Sequence, residues 1–340
     1  MIGIISNLNA KQNRHGVFHR RRFQQYLGSD LHIEETRRPE DISNALSRLF
    51  DRGVDLFCIN GGDGTLHHVL TEMINRFGEA YPFPLLFPLS GGTINCIANN
   101  IVPSDDPESL LAGLAQYQKR ARDGIFIEEL KIGTLKVEAG NLGKPHYGFI
   151  FSNGTPFRVL EHAYAAGSEL SFSYHFSNAT QILTSSFFGS GEKRNHFFRP
   201  LDIDLTIDGA KYYEKKVQIC TASTLPKLVL WFSPFYGATG PLTDKFYFLV
   251  THLEIGDMIR HFWPLCRGTY RGPRMFNDQV KTVEMVSNEG YTLDGDNYGL
   301  KGRVHIQLSM GPTLRFLKLP KISINHLISK SFFLGLPLAS

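Results

Sequence analysis

The sequence predicts an α/β N-terminal half followed by a β-rich, mainly antiparallel half. The chain has 340 residues, too many for one ordinary core, and 42% of them are apolar, as in globular proteins. Up to about residue 122, short apolar runs alternate with segments of helical spacing, whereas beyond Gly124 branched and aromatic segments are separated by turns. We therefore predict domains at 1–125 and 126–320 and a C-terminal tail at 321–340. The tail either packs back on the first domain, which is the favoured interpretation, or lies in a bilayer interface.

The N-terminal half carries two continuous apolar runs, 54–59 and 84–89, which are typical of buried parallel strands. Shorter strands are predicted at 2–6 and 31–35. Segments of helical spacing indicate helices at 17–27, 41–50, 66–77, 95–101 and 107–117. This alternation indicates a doubly wound domain, a parallel sheet covered on both faces.

The second half is predicted to form an antiparallel sandwich or barrel. A helical insertion is expected at 158–188, and Asp208-Gly209 is typical of a hairpin turn. The predicted strands are 126–132, 135–139, 147–152, 201–207, 215–221, 228–232, 246–251, 282–286 and 303–309.

Charge and cysteine content limit the functional classes. The net charge of +4 is too small to indicate nucleic-acid binding, but it is compatible with nucleotides or an anionic membrane surface. The four cysteines lie far apart without the pairing of metal sites, which favours reduced thiols and a cytoplasmic protein. Without an apolar run of about 18 residues, no membrane-spanning helix is expected, and membrane contact would be peripheral, at the inner face.

The most informative segment is the glycine turn Gly61-Gly62-Asp63-Gly64-Thr65, which follows a buried strand and precedes a helix. Glycines let backbone N–H groups converge on an anion, and the helix start adds a positive end that favours phosphate. Thr65 offers a hydroxyl, and Asp63 offers a carboxylate for a metal ion or a proton. The structural alternative is a tight turn in which Asp63 caps a helix.

A second strand, turn and helix of the same kind contains Ser90-Gly91-Gly92-Thr93. In a doubly wound sheet both turns lie at the carboxyl edge of adjacent strands, where ligands bind. Two such turns about thirty residues apart favour a phosphate-binding site over an accidental pattern.

These turns, the loop Asn7-Leu8-Asn9-Ala10 and the late segment Leu293-Asp294-Gly295-Asp296 together resemble the diacylglycerol kinase catalytic domain family, which includes sphingosine kinases and bacterial lipid kinases. The Gly61–Thr65 turn is shared with NAD kinases and phosphofructokinases. The Gly92-Thr93-Ile94-Asn95 turn and the late segment narrow the resemblance to lipid kinases. Without the family, a hairpin turn would be the better interpretation of the late segment.

The resemblance implies a phosphofructokinase-like α/β domain joined to a β-sandwich domain, with ATP in the cleft and the lipid entering from the sandwich side. It implies Mg²⁺ near Asp63 and places Asp296 as the general base that takes the proton of the lipid hydroxyl. The ATP contacts carried over by motif are Asn7, Thr36, Gly61, Gly62, Asp63, Gly64, Thr65, Leu66, His67, Gly92, Thr93 and Asn95.

Five positions depart from the family pattern. Leu8 replaces a proline, His68 a glutamate, Cys96 an acid, and Asp296 a glutamate that is one methylene longer. Thr239 stands in a turn where the family has an aspartate that holds a structural Mg²⁺, so we predict that this site is lost. Adjacent His67 and His68 point about 100° apart on a helix and are not expected to act as a metal pair.

The sequence therefore predicts an ATP-dependent lipid kinase acting on a lipid at the membrane surface. One alternative is a degenerate homologue that binds nucleotide or lipid, which the five departures favour. The other is an NAD kinase, which is disfavoured because that family's Asn-Glu pair is not apparent. The sequence does not name the lipid or the oligomeric state.

Overall fold

The computed structural model describes residues 1–29, 31–92, 95–102, 106–165, 196–228 and 232–319. The predicted tail, most of the predicted insertion and part of the predicted strand at 228–232 lie outside these residues.

The N-terminal half alternates strands and helices as predicted. Its elements are β1 (Ile2–Asn7), α1 (Lys11–Arg14), α2 (Arg20–Leu27), β2 (Leu31–Thr36), α3 (Glu40–Asp51), β3 (Leu56–Gly61), α4 (Asp63–Phe77), β4 (Leu85–Ser90), α5 (Cys96–Ile101) and α6 (Pro107–Arg122). The strands pair in parallel in the order β2, β1, β3, β4. Every residue of β3 and β4 is buried, which explains their uninterrupted apolar runs.

Local signals account for where the helices begin. The Asp106 side chain accepts a hydrogen bond from the Ser109 N–H at 2.8 Å, and Pro107 occupies the first turn, a favourable start for α6. The helix predicted from residue 17 begins only at Arg20, because the His19 side chain accepts from the Arg22 N–H and caps α2 there.

The second half consists mainly of antiparallel strands. Its elements are β5 (Glu129–Ala139), β6 (His146–Gly148), β7 (Ile150–Gly154), α7 (Thr155–Ala165), β8 (Leu201–Ile207), β9 (Ala210–Tyr212), β10 (Lys216–Val217), β11 (Ile219–Ser223), β12 (Phe246–Thr251), α8 (Ile255–Arg260), α9 (Phe262–Cys266), β13 (Met275–Val280), β14 (Thr282–Ser287), β15 (Tyr291–Leu293), β16 (Asp296–Tyr298) and β17 (Val304–Leu317).

Two sheets pack face to face around a second core. One contains β13, β12, β11, β7, β15 and β16 in that order; the other contains β8, β14, β17 and β5 with short strands at its margins. Phe151 and Phe248 from the first sheet and Val283 and Leu308 from the second are fully buried in one apolar cluster. The antiparallel sandwich is therefore confirmed. Fully burying each such side chain stabilises the fold by about 1.5–3 kcal/mol relative to exposing it.

Some predicted strands differ from those observed. Residues 129–132 of the first run and the whole run 135–139 form one strand, β5, which continues through Gly133, where the missing side chain leaves room for Met310. The run 215–221 divides into β10 and β11, which belong to different sheets. Asp208-Gly209 forms the predicted hairpin turn between β8 and β9.

The two halves share a sheet. The end of β17 pairs in parallel with β4 through Phe316 and Leu86, while the rest of β17 pairs with β5 and β14 of the sandwich. The Arg315 guanidinium also donates to the Phe83 carbonyl at 3.2 Å, across 232 positions of the chain. This junction fixes the sandwich next to the parallel sheet.

Candidate active site

The carboxyl ends of the four parallel strands meet at one edge of the sheet, and the sequence motifs lie there. The register pairs Asn7 at the end of β1 with Thr36 at the end of β2. It also pairs Gly61 at the end of β3 with Ser90 at the end of β4. This edge is where open α/β sheets bind ligands.

The first loop is fastened to the glycine turn by side-chain hydrogen bonds. The Asn7 amide donates to Thr65 Oγ1 at 2.8 Å, and the Asn13 amide donates to the Asn7 carbonyl at 2.7 Å. Thr36 is buried, and its carbonyl accepts the Leu8 N–H at 2.9 Å. Asn7, Thr36 and Thr65 are thus held in one place by contacts between the ends of β1 and β2 and the first turn of α4.

The two glycine turns contact each other through their backbones. A Cβ added to Gly92 would lie 2.4 Å from the Cα of Gly62, and one added to Gly61 would lie 2.5 Å from the Thr65 Cβ. Real Cβ atoms do not approach so closely, so this contact requires glycine. Thr93, a predicted ATP contact, lies outside the described residues.

Helix α4 begins in the glycine turn and presents its N-terminus at the site. The residue before it, Gly62, is extended, and no side chain caps this end. The first helical hydrogen bond of the turn runs from Leu66 N–H to Gly62 O at 3.1 Å, so the N–H groups of Asp63, Gly64 and Thr65 precede the helical ladder. Such N–H groups, at the positive end of a 15-residue helix, favour an anion.

Asp63 joins the two turns by capping the start of α5. Its carboxylate accepts the Cys96 N–H at 2.8 Å and the Ile97 N–H at 3.1 Å. Burial raises the pKa of Asp63 to about 6, these two hydrogen bonds oppose the rise, and the negative charge of Asp296 adds to it. The capping alternative for Asp63 is therefore part of the structure, and a metal role stays a prediction.

Three other predicted ATP contacts have side chains that serve the fold. Leu66 packs in the first core, and His67 is fully buried. Asn95 has a left-handed backbone, φ 50°, and its side-chain oxygen accepts the Gly92 N–H at 3.1 Å, which braces the second turn.

The late segment forms a hairpin turn, and this turn delivers Asp296 to the site. Asp294 and Gly295 have φ angles of 51° and 89° and connect β15 to β16. The buried Asp294 carboxylate accepts the Phe149 N–H at 3.0 Å and the Ile150 N–H at 2.8 Å, which ties the hairpin to β7. Burial raises the pKa of Asp294 well above its usual range.

Asp296 lies directly beside the first turn of α4. A Cβ added to Gly64 would be 2.8 Å from Asp296 Oδ1, so the glycine permits this approach. On its other side, Asp296 Oδ2 lies 2.9 Å from His68 Nε2. Both side chains are partly exposed, Asp296 by 31% and His68 by 35%. Two of the five departures from the family pattern are thus in contact.

A buried polar chain next to Asp296 joins the two halves. His67 Nδ1–H donates to the Tyr147 carbonyl at 2.9 Å, which leaves Nε2 to accept from the Tyr298 hydroxyl at 2.7 Å. The Tyr298 oxygen lies 2.9 Å from His146 Nδ1, whose proton it accepts. Burial lowers the pKa of His67 to about 4 and also lowers that of His146, so both rings are neutral at neutral pH.

Sequence reasoning missed Tyr298 and His146 as parts of this site. His146 belongs to no sequence motif, because it lies on β6, far along the chain from the other residues of the site. Tyr298 stands two positions after Asp296 on β16, so period-two alternation places both on one face of the strand. That alternation was the available signal.

Two grooves lie near the parallel sheet. One, about 370 Å³, opens beside the end of β2 and is lined by Leu8, Glu35, Arg37, Asp41, Asn44 and Arg48. A second, about 420 Å³, includes Val54, Leu85 and Tyr117 at the opposite, amino-terminal edge. The second groove contains none of the motif residues, so the first is the one related to the site.

The turn that carries Thr239 is held by ordinary hydrogen bonds. The Tyr247 hydroxyl donates to the Gly240 carbonyl at 2.7 Å, and the Gly133 N–H donates to the Leu242 carbonyl at 2.7 Å. Loss of a structural Mg²⁺ at this turn stays a prediction. Among the described helices, none has the length and apolar character that crossing a membrane requires.

Comparisons with known proteins agree with this arrangement. Residues 2–126 match the family model described as the diacylglycerol kinase catalytic domain. Three solved structures from Bacillus anthracis strain Sterne share the fold, each covering 95% of this chain and 98% of its own. One is described as a diacylglycerol kinase, with a TM-score of 0.60 and 13% sequence identity. The other two are provisionally named diacylglycerol kinases, with TM-scores of 0.63 and 0.62 and identities of 15% and 16%. A search of curated proteins gave no significant match.

The identities are low, so the solved structures establish the fold of the whole chain, while the family model concerns its first part. That part holds both glycine turns and the first loop, in the order and geometry described above. Residues 2–126 of this chain thus match the diacylglycerol kinase catalytic domain model, and the whole chain shares the fold of these structures, an α/β domain joined to an antiparallel β-sandwich.

Proposed function

We propose that this protein is a lipid kinase that transfers the γ-phosphate of ATP to a hydroxyl of a lipid such as diacylglycerol or a sphingoid base. One observation carries the proposal: Asp296 of the sandwich lies beside Gly64 at the start of α4. A carboxylate next to a phosphate-binding helix start is the arrangement that phosphoryl transfer to an alcohol needs. The family match and the name given to the relative of known structure support it.

In this proposal the nucleotide's phosphates bind to the N–H groups of Asp63, Gly64 and Thr65 at the positive end of α4. Asn7 holds the Thr65 hydroxyl in place through their 2.8 Å hydrogen bond. Mg²⁺ would be held by the Asp63 carboxylate, whose two oxygens accept the N–H groups of Cys96 and Ile97 and the Cys96 side chain and still keep a lone pair. When bound, the ion neutralises phosphate charge.

Asp296 is the proposed proton acceptor. A bond forms between the lipid hydroxyl oxygen and the γ-phosphorus, the bond from that phosphorus to the bridging oxygen of ADP breaks, and Asp296 takes the hydroxyl proton. The shorter side chain of aspartate is offset by its close approach to α4, which Gly64 permits. A partly exposed carboxylate remains reachable for a lipid that enters from the sandwich side.

The acceptor lipid and the membrane contact belong to the same proposal. The net charge of +4 favours a transient encounter with an anionic membrane surface. The protein would act at the inner membrane face, without nucleic-acid partners.

The test is transfer from labelled ATP with Mg²⁺, using a mixed lipid panel in micelles alongside NAD and fructose 6-phosphate. A labelled lipid is expected, and it would also identify the acceptor. Label on NAD would contradict the proposal. ATP binding without transfer to any acceptor would favour a degenerate homologue, a role consistent with the use of Asp63 as a helix cap.

A further inference from the structure

Three potential metal ligands from two different elements converge beside the proposed site. His67 and His68 come from α4 and Asp296 from β16, and one ligand atom of each lies within 4.8 Å of the other two. Among the residues that the structure describes, this is the sole group of three or more His, Cys, Asp or Glu side chains so arranged. Adjacent histidines point apart on a helix, but here a third ligand approaches both.

The contact between His68 and Asp296 brings two polar atoms close together without forming a hydrogen bond. Their Nε2 and Oδ2 atoms are 2.9 Å apart, yet Asp296 Oδ2 is inaccessible to solvent and accepts no hydrogen bond. The ring N–H is therefore not directed at the oxygen. A buried carboxylate oxygen without a partner is unfavourable, and a cation facing both atoms would satisfy it.

His67 is oriented as metal-binding histidines are. Its Nδ1–H donates to the Tyr147 carbonyl at 2.9 Å, which fixes the ring and leaves Nε2 as the nitrogen that could bind a cation. The Tyr298 hydroxyl now donates to that atom. If a cation replaced this bond, the hydroxyl would keep His146 Nδ1, 2.9 Å away, as its partner.

We propose that His67, His68 and Asp296 form a binding site for a first-row transition-metal dication such as Zn²⁺. Two imidazoles and one carboxylate are ligands that Zn²⁺ accepts in a tetrahedral site, whereas Mg²⁺ prefers oxygen ligands in an octahedron. Zinc–ligand bonds of about 2.0–2.2 Å place the ligand atoms roughly 3.4 Å apart. On binding, the 2.9 Å pair of His68 and Asp296 would therefore open by about 0.5 Å, and the longer separations in the group, which reach at most 4.8 Å, would close by up to about 1.4 Å. The ion would enter past His68, which is 35% exposed, since Asp296 Oδ2 itself is buried.

The site has a regulatory consequence, and this part alone rests on the proposed function. A bound dication engages Asp296, the proposed proton acceptor, so a metal at this site would inhibit phosphoryl transfer. Binding itself requires no kinase activity, so the two proposals can fail independently.

The first experiment is calorimetric titration of the full chain, stripped with a chelator, with ZnCl₂ and separately with MgCl₂. One equivalent of Zn²⁺ is expected to bind to wild type. His68→Ala and Asp296→Asn should each weaken Zn²⁺ binding by on the order of 100-fold, since losing a ligand costs at least as much as losing its outer-shell support. The matched control is His305→Ala, because His305 also faces an acid, Glu284 at 3.9 Å, but belongs to no three-ligand group among the described residues.

The second experiment needs no variant, so a folding defect cannot obscure it. Co²⁺ added to the stripped wild-type protein should give the intense visible absorption of a tetrahedral nitrogen and oxygen site, and Zn²⁺ should abolish it. Absence of stoichiometric Zn²⁺ binding, or equal affinity in wild type, His68→Ala and Asp296→Asn, would overturn the proposal. If the protein binds Zn²⁺ but, when stripped of Zn²⁺ and supplied with ATP and Mg²⁺, phosphorylates no lipid, the proposed function is wrong and the metal site stands.

Discussion

The two sides of the candidate active site make their contacts with different chemical groups. On the α4 side the contacts are made by backbone: glycine turns that touch each other and the N–H groups of a helix start. On the hairpin side they are made by side chains, chiefly Asp296, Tyr298 and His146, carried by short strands of the sandwich. Contacts between backbones restrict which residue types fit at those positions, so they can be recognised in the sequence as a motif. Side-chain contacts depend on tertiary placement and leave little trace in sequence.

The largest effect should come from the hairpin side. Asp296→Asn removes the proposed proton acceptor while keeping shape, so the rate of lipid phosphorylation should fall by about 10³-fold, within the usual contribution of a general base. ATP affinity should stay unchanged, because the α4 side is intact.

Asp202→Asn, on an exposed residue of β8, is the matched control and should retain full activity. An Asp296→Asn variant with near wild-type turnover would show that the hairpin side contributes position rather than chemistry.

The next effect concerns two buried groups of α4 whose pKa values shift in opposite directions. His67 has a folded pKa of about 4 against an ordinary 6.5, so the stability it contributes is present above pH 6.5 and lost as the pH falls towards 4. Asp63 has a folded pKa of about 6 against 3.8, so its contribution is present below pH 3.8 and lost as the pH rises towards 6. Each amounts to about 3 kcal/mol at most.

These two contributions nearly cancel between pH 4 and 6.5 in wild type. In Asp63→Asn the His67 contribution remains alone, so the free energy of unfolding should fall by up to about 3 kcal/mol from pH 6.5 to 4 relative to wild type. Urea denaturation of both proteins in chelator-containing buffers measures this free energy of unfolding at each pH. Parallel pH profiles for the two proteins would mean that Asp63 is not buried as described.

A third change tests the contact between the sides. Gly64→Ala places a methyl group 2.8 Å from Asp296 Oδ1, and the carboxylate, as the end of a flexible side chain, must move. A displacement of about 1 Å lowers transfer by about 100-fold, while stability should change little because alanine suits a helix.

Gly143→Ala provides the control, since a Cβ there meets nothing within 4 Å. Unchanged transfer in Gly64→Ala, with the variant folded, would show that the approach of Asp296 to α4 does not matter for chemistry.

The smallest effect is expected at the polar chain. Tyr298→Phe removes the hydroxyl that bridges His67 and His146 and leaves a ring nitrogen of the buried His67 and one of the half-buried His146 without that partner, which should destabilise the protein by about 1–2 kcal/mol. Tyr213→Phe, 85% exposed, should cost nothing measurable. Thermal unfolding of both variants decides whether the hydrogen bonds between His67, Tyr298 and His146 stabilise the hairpin side.

The same contrast explains how much could be predicted. The sequence predicted the buried strands β3 and β4 and both glycine turns, because continuous apolar runs and obligatory glycines reflect local constraints. The division of residues 215–221 between two sheets could not be predicted, since a strand-like run does not show which neighbouring strand each of its residues pairs with. Asp296 was identified by resemblance alone, whereas its contacts with Gly64 and His68 depend on how β16 packs against α4.

The shared strand β17 has a consequence for the order of folding. β4 lies inside the parallel sheet only when the Phe316 region pairs with it, and the two are separated by most of the chain. During synthesis the ribosome must therefore emit almost the whole sandwich before the outer edge of β4 is covered, and until then that edge exposes unpaired N–H and C=O groups. Such a long-range closure is slow, so the nascent α/β domain passes through a stage in which it is open to intermolecular strand pairing.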